Sequence, residues 1–119
     1  MRQEQLAIEI VPDSSSVTLR LVGEIDMCTA ESVRDAAFTA ITQHHTDVHI
    51  DLSAVTFMDS TGLQVLLATR RRAELAGGHL QLVDPTRAVL RVLELTGVDH
   101  LFEIEPEGIP AAGPAAAIP

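Results

Sequence analysis

The 119-residue sequence contains few aromatic residues, few basic residues and one cysteine. Trp and Tyr are absent and Phe occurs three times, so the core has to be built from aliphatic side chains. Asp and Glu number 17 against 8 basic residues, which gives a formal net charge of −9. Such a charge repels a nucleic-acid backbone and an anionic membrane surface, and the sequence lacks the aromatic residues on which bases stack. Direct binding to nucleic acid or to a membrane is therefore not expected.

The sequence has few residues that could ligate a metal and no long apolar run. These absences argue against a disulfide-linked protein, a metal-binding protein and a membrane-spanning protein. A single cysteine, Cys28, allows neither an internal disulfide nor a cysteine metal cluster, and we interpret it as a small buried hydrophobic residue. The pair His44-His45 has no further ligands at a metal-binding spacing, so the sequence predicts no metal and no cofactor. No run reaches the roughly 20 apolar residues of a membrane span, and no apolar signal region follows Met1. The expected location is the cytoplasm.

The spacing of the apolar residues predicts alternating strands and helices. Residues 6–11 and 17–21 alternate with a period of two, and the turn between them predicts an antiparallel hairpin whose second strand ends at Gly23. After Gly23, segments with helical spacing alternate with segments that have strand spacing. Thr29 and Thr86 are predicted to cap two of the helices. The later elements are a helix over 33–41, a strand over 48–52, a helix over 60–76, a strand over 80–83, a helix ending at Gly97 and a short strand over 101–104.

This order predicts an α/β fold with a four- to five-stranded, mostly parallel mixed sheet and about three main helices. Strand–helix–strand crossovers build the parallel part, and the first strand lies antiparallel at its side. Residues 1–105 form one domain, since the chain is too short for a second core. Residues 106–119 are rich in Pro and Ala, and we expect them to form a flexible tail.

The segment over residues 57–63 is the strongest candidate for function. It lies between a strand and a strongly patterned helix, and binding sites collect at the carboxyl ends of strands in open α/β sheets. Ser60 is expected at or beside the helix N-cap, where unpaired N–H groups and the helix dipole stabilise a phosphate. The simpler interpretation is that Ser60 only caps the helix.

Two short motifs carry a family resemblance: Gly23-Glu24-Ile25-Asp26 after the second strand, and Asp59-Ser60-Thr61-Gly62-Leu63 at the start of the second helix. Together they resemble the bacterial anti-sigma factor antagonists, which are free-standing members of the STAS domain family. The resemblance covers residues 6–104. It implies that Ser60 is phosphorylated by a partner that is both anti-sigma factor and kinase, and that a phosphatase reverses the reaction. The unphosphorylated form binds this partner and frees the sigma factor, and the phosphorylated form is released.

The resemblance also implies a surface for the partner, with Asp26 near Ser60. Gln64 stands where many members of the family carry Gly, and its longer side chain could alter which kinase fits. The state implied for the chain is a monomer or a weak dimer. The implied partner-binding residues are Gly23, Glu24, Asp26, Asp59, Ser60, Thr61, Gly62, Leu63 and Gln64.

Three alternatives remain at this point. The chain could be a STAS scaffold or a transport-system subunit whose partner has no connection with sigma factors. A serine at a strand-to-helix turn also describes the nucleophile elbow of hydrolases, but that turn needs small residues two positions either side, and Met58 is not small, so no enzyme is expected. The cluster Arg70-Arg71-Arg72 is either a solvated helix surface or a contact for an acidic patch on a partner.

Overall fold

Strands and helices alternate along the chain, because its apolar spacing changes repeatedly from a period of two to a helical period. The computed structural model describes residues 5–41 and 45–106. The elements, in chain order, are β1 (Leu6–Pro12), β2 (Ser16–Ile25), α1 (Ala30–Ile41), β3 (Asp47–Met58), α2 (Ser60–Leu75), β4 (Leu80–Val83), α3 (Arg87–Leu95), a 3₁₀ turn (Asp99–Leu101) and β5 (Glu103–Glu105).

The strands form one sheet in the order β1-β2-β3-β4-β5. β1 pairs antiparallel with β2, and the other three pairs are parallel. This arrangement, with its three helices, confirms the predicted α/β fold and the mostly parallel mixed sheet. Because β2 and β3 are parallel, their carboxyl ends lie at the same edge of the sheet, and the loops that follow them meet there.

One face of the sheet is covered and the other is open. Leu19 of β2, Ile50 of β3 and Leu82 of β4 lie side by side in register, and each is fully buried. Arg20 and Asp51 are neighbours on the opposite face, where Arg20 lies 3.7 Å from the carboxylate of Asp51. The core is aliphatic, as expected, and Phe102 is the one buried phenylalanine of the three.

Two strands are longer than their patterns predict. β2 continues past Gly23 to Ile25, and β3 continues past Leu52 to Met58. The register between them shifts twice, and an extra residue at a bulge breaks the alternation from which the strand ends were predicted.

Thr86 stands at the N-cap position of α3, but its hydroxyl donates to the Val55 carbonyl, 2.7 Å away, instead of capping the helix.

The predicted tail spans residues 106–119, of which the structure describes only Pro106. The rest lies outside the described residues, so the tail stays a prediction. Within residues 5–41 and 45–106, no helix has the length and apolar character needed to cross a membrane. The same residues contain no group of three or more His, Cys, Asp or Glu side chains placed to hold a metal ion.

Candidate functional site

The ends of β2 and β3 bring the two sequence motifs together. Ile25 and Met58 are register partners, and the N–H of Asp59 donates to the Ile25 carbonyl at 3.2 Å. The loop that begins at Asp26 and the first turn of α2 therefore lie side by side at the carboxyl edge of the sheet. The structure thus places in one region two motifs that are more than 30 residues apart in the chain.

Asp59, and not Ser60, is the N-cap of α2. Its backbone is extended, and its carboxylate accepts hydrogen bonds from the N–H groups of Thr61 at 2.9 Å and Gly62 at 3.3 Å. The hydroxyl of Thr61 donates to the same carboxylate oxygen. The interpretation of Ser60 as a cap is therefore wrong, since the preceding residue already provides the capping oxygen.

The cap has an electrostatic consequence for Asp59. Partial burial acts to raise the pKa of this carboxyl, but the hydrogen bonds from the Thr61 hydroxyl and from the N–H groups of Gly62 and Thr61 outweigh it. The net result is a pKa below the ordinary value. Asp59 is consequently a fixed negative charge directly before Ser60 at neutral pH.

Ser60 is the first residue of α2 and is exposed. Its hydroxyl makes no hydrogen bond within the described residues, whereas the hydroxyl of Thr61 is held by Asp59. Of two adjacent hydroxyl groups, only that of Ser60 is free to react. The N–H groups of Thr61 and Gly62 are already paired with Asp59, so a phosphate on Ser60 would gain the helix dipole but not these two donors.

Gly62 and Leu63 are the buried residues of the first turn of α2, and they set its position on the sheet. Gly62 is buried, and a Cβ atom at this position would lie 2.6 Å from Cγ of Met58 and 2.9 Å from Cγ2 of Ile25. Leu63 is only 7% exposed. The missing side chain at Gly62 lets the first turn of α2 pack closely on the ends of β2 and β3. Both residues therefore shape the surface by setting the position of α2, since Gly62 has no side chain and the side chain of Leu63 is buried.

A network of hydrogen bonds fixes the loop that carries Asp26. The Asp26 carboxylate accepts from the N–H groups of Cys28 at 2.9 Å and Thr29 at 3.2 Å. The Thr29 hydroxyl donates to the Glu24 carbonyl at 2.9 Å and accepts from the N–H of Asp26 at the same distance. The sequence predicted Thr29 only as a helix cap. Its larger role is to close this loop before α1 begins.

Gly23 and Glu24 flank the second register shift between β2 and β3, at the point where β2 runs past the first residue of β1. Gly23 has a φ of +125°, and a Cβ atom there would lie 2.1 Å from the Gln5 carbonyl oxygen. That same oxygen accepts from the N–H of Glu24 at 2.8 Å. Both residues lie in the segment that leads to Asp26, and Gly23 has a structural reason to be glycine that is independent of any partner.

The sequence patterns did not identify two exposed features beside Ser60. Cys28 is exposed, so its interpretation as a buried hydrophobic residue is wrong. Met27 is 78% exposed although it is apolar, and no periodic pattern covers this loop. Met27 lines a groove between α1 and α2 together with Arg34, Thr61 and Gln64. Gln64, predicted as a partner contact, is exposed in this groove.

Comparison with known proteins identifies the family. A family model described as "Mlab, STAS domain" matches residues 9–104. An anti-sigma-B factor antagonist of Listeria monocytogenes is 31% identical over 101 residues, which cover 84% of this chain and 89% of that protein. The anti-sigma-B factor antagonist of Bacillus subtilis is 27% identical over 97 residues, covering 82% of this chain and 88% of the relative. The chain belongs to the STAS domain family.

Solved structures show the same fold. The anti-sigma factor antagonist SpoIIAA in its unphosphorylated form is 28% identical, with a TM-score of 0.73 over 85% of this chain and 90% of that one. The Bacillus cell fate determinant SpoIIAA in its phosphorylated form is 27% identical, with a TM-score of 0.68 over 85% and 93% of the two chains. These neighbours confirm the α/β sheet with its three helices as a STAS fold.

Proposed function

We propose that this chain is an anti-sigma factor antagonist whose binding to an anti-sigma factor kinase is switched by phosphorylation of Ser60. The single observation that carries the proposal is the hydroxyl of Ser60 at the first position of α2, where the residue is exposed and the hydroxyl has no hydrogen-bond partner among the described residues. Ser60 directly follows Asp59, whose N–H donates to the Ile25 carbonyl just before the Asp26 loop. Relatives named anti-sigma factor antagonists, and a neighbour solved in phosphorylated and unphosphorylated forms, support the same role.

The switch acts through the partner interface and not through the fold. A phosphoserine adds about −1.5 to −2 charges at neutral pH. On Ser60 this charge would stand directly after Asp59, and two of the nearest helix N–H groups are already occupied. In water the added charge costs little, but a partner surface shaped for a hydroxyl would have to bury it without a counter-charge. The partner is therefore released while the domain stays folded.

The proposal assigns all catalysis to the partners. The anti-sigma factor kinase binds the ATP, a phosphatase removes the phosphate, and the chain itself is not an enzyme. The proposed functional unit is the domain over residues 1–105, acting as a monomer or weak dimer in the bacterial cytoplasm to regulate transcription. A kinase-free preparation that hydrolyses ATP or an ester, and loses this activity on Ser60→Ala, would contradict this assignment.

Mapping the phosphorylated residue tests the proposal. The full chain is used to capture its partner from the source cells, and the captured kinase is incubated with ATP and the chain. Mass spectrometry is expected to locate one phosphate on Ser60 in the wild type and none in Ser60→Ala. Thr61→Val is the matched control, because it removes the neighbouring hydroxyl and should leave labelling of Ser60 intact. Labelling of Thr61, or capture of a transport-system component instead of a kinase, would contradict the proposal.

A further inference from the structure

Two arginines from different helices meet over one aromatic ring. The guanidinium carbon of Arg34, on α1, lies 5.1 Å from the centre of the Phe38 ring. The guanidinium carbon of Arg72, on α2, lies 4.6 Å from the same centre. We call these three residues the arginine patch. The arrangement joins Arg72, from the cluster noted in the sequence, to a residue that lies 38 positions earlier.

Neither arginine of the arginine patch is paired with a carboxylate in the part of the chain that the structure describes; Glu31 lines the groove beside Arg34 but forms no ion pair with it. Within the described residues, the arginine ion pairs are those of Arg20 and Arg70, and no carboxylate lies within 4.0 Å of a nitrogen of Arg34 or Arg72. Arg71, Arg87 and Arg91 also make no ion pair within the described residues, and what distinguishes Arg34 and Arg72 is the ring that they share. Two like charges against one ring repel each other, and an approaching anion would relieve that repulsion.

The arginine patch is continuous with the surface around Ser60. Arg34 also lines the groove between α1 and α2 into which Thr61 and Gln64 face. From Ser60 to Arg72, α2 rises about 18 Å at about 1.5 Å per residue. A partner that contacts Ser60 and continues along α2 would therefore meet Gln64, then Arg34, and then Arg72.

We propose that the arginine patch binds an acidic segment of the partner, with carboxylates pairing to Arg34 and Arg72. A guanidinium that stacks on a ring keeps its N–H edge free, and that edge matches a carboxylate in bidentate geometry. The net charge of −9 opposes nucleic acid, whose charge is uniform along its backbone, while a short acidic segment needs only this local positive field. The identity of the partner rests on the proposed function. The site itself is argued only from the positions of its three residues.

A titration with a defined peptide tests the site without the partner. The ¹⁵N-labelled full chain is titrated at low salt with an eight-residue peptide of alternating Asp and Glu, and amide shifts are followed by NMR. We expect shifts centred on residues 34–38 and 68–72 that disappear at high salt. The double variant Arg34→Gln/Arg72→Gln should bind about tenfold more weakly, since each charge-assisted contact contributes a few-fold. The matched control Arg87→Gln/Arg91→Gln, on α3, should bind like the wild type.

The outcomes separate this proposal from the one on Ser60. Absence of peptide shifts, an equal loss in the α3 control, or tighter binding of a single-stranded oligonucleotide at the same residues would overturn the arginine patch. None of these results bears on Ser60.

Discussion

The carboxylate of Asp59 caps α2, and this cap determines the surroundings of the neighbouring Ser60 hydroxyl. Asp59 occupies the N-cap and accepts from the Thr61 hydroxyl, so that Ser60 is exposed and its hydroxyl makes no hydrogen bond to any residue that the structure describes. The motif alone was enough to single out Ser60, since the resemblance pointed to it directly. It was not enough to assign the cap, because Asp and Ser are both good N-caps and only the extended backbone of Asp59 distinguishes them.

Removing the Asp59 cap should destabilise the domain. Asp59→Ala leaves the N–H groups of Thr61 and Gly62 without an acceptor, and we expect a loss of about 1 kcal/mol in the free energy of unfolding. Asp59→Asn keeps an acceptor oxygen and should lose less. Urea denaturation measures both. A loss that is equal for the two variants would contradict the capping role, because only one of them removes the acceptor.

The lowered pKa of Asp59 makes part of the stability depend on pH. A carboxyl whose folded pKa lies below its unfolded value, about 3.9, stabilises the fold above that value and loses this contribution as the pH falls through the folded pKa. Denaturation curves between about pH 2 and pH 6 should therefore fall less steeply for Asp59→Asn than for the wild type. Identical pH profiles would show that the carboxylate has no such role.

Among the elements, β3 departs most from its sequence pattern, because the pattern ends at Leu52 and the strand runs to Met58. A period of two cannot be followed across a bulge, and each of the two register shifts with β2 leaves an extra residue on β3. β2 also runs two residues past Gly23, where its pattern predicts the end. The long, regular pattern of α2 was predicted nearly to the residue, because a repeated helical spacing determines an element better than a few alternating residues do.

Gly23→Ala should disrupt the start of the Asp26 loop. Its Cβ would lie 2.1 Å from the Gln5 carbonyl oxygen, in addition to the strain of a φ of +125°. Gly77→Ala is the matched control, because Gly77 has a φ of +94° with no atom within 4 Å of the added Cβ. Thermal denaturation should show about 1–3 kcal/mol of strain for Gly77→Ala and a clearly larger loss for Gly23→Ala. Equal losses would mean that the close approach of Gly23 to the Gln5 carbonyl is unimportant.

For the whole molecule, the order of the elements was predictable and the exposure of loops was not. Strand and helix spacing follow from burial of an aliphatic core on one face of the sheet, so the mixed sheet was expected from the sequence. Exposed Met27 and Cys28 lie in a loop whose backbone is set by hydrogen bonds to Asp26 and Thr29. Such bonds leave no periodic signal in a sequence.

The domain over residues 1–105 should be as stable alone as in the full chain. Residues 106–119 are mainly Pro, Ala and Gly and have no amphipathic spacing, so their removal should cost little. The melting temperature of the truncated chain is expected to lie within about 2 °C of the full-length value, since 1 kcal/mol corresponds to about 4–8 °C in a domain of this size. A loss of several degrees would show that the tail packs on the domain.

The affinity of the captured kinase for the chain tests the central claim most directly. Wild type and Ser60→Ala should bind alike, while phosphorylated wild type and Ser60→Asp should bind roughly a hundredfold more weakly, which corresponds to about 2.8 kcal/mol. Ser14→Asp is the control, because it adds the same charge to an exposed turn before β2, at the opposite edge of the sheet. Calorimetry gives each Kd, and circular dichroism should show every variant folded. Equal affinity for all four proteins, equal weakening by Ser14→Asp, or an unfolded Ser60→Asp would contradict the phosphorylation switch.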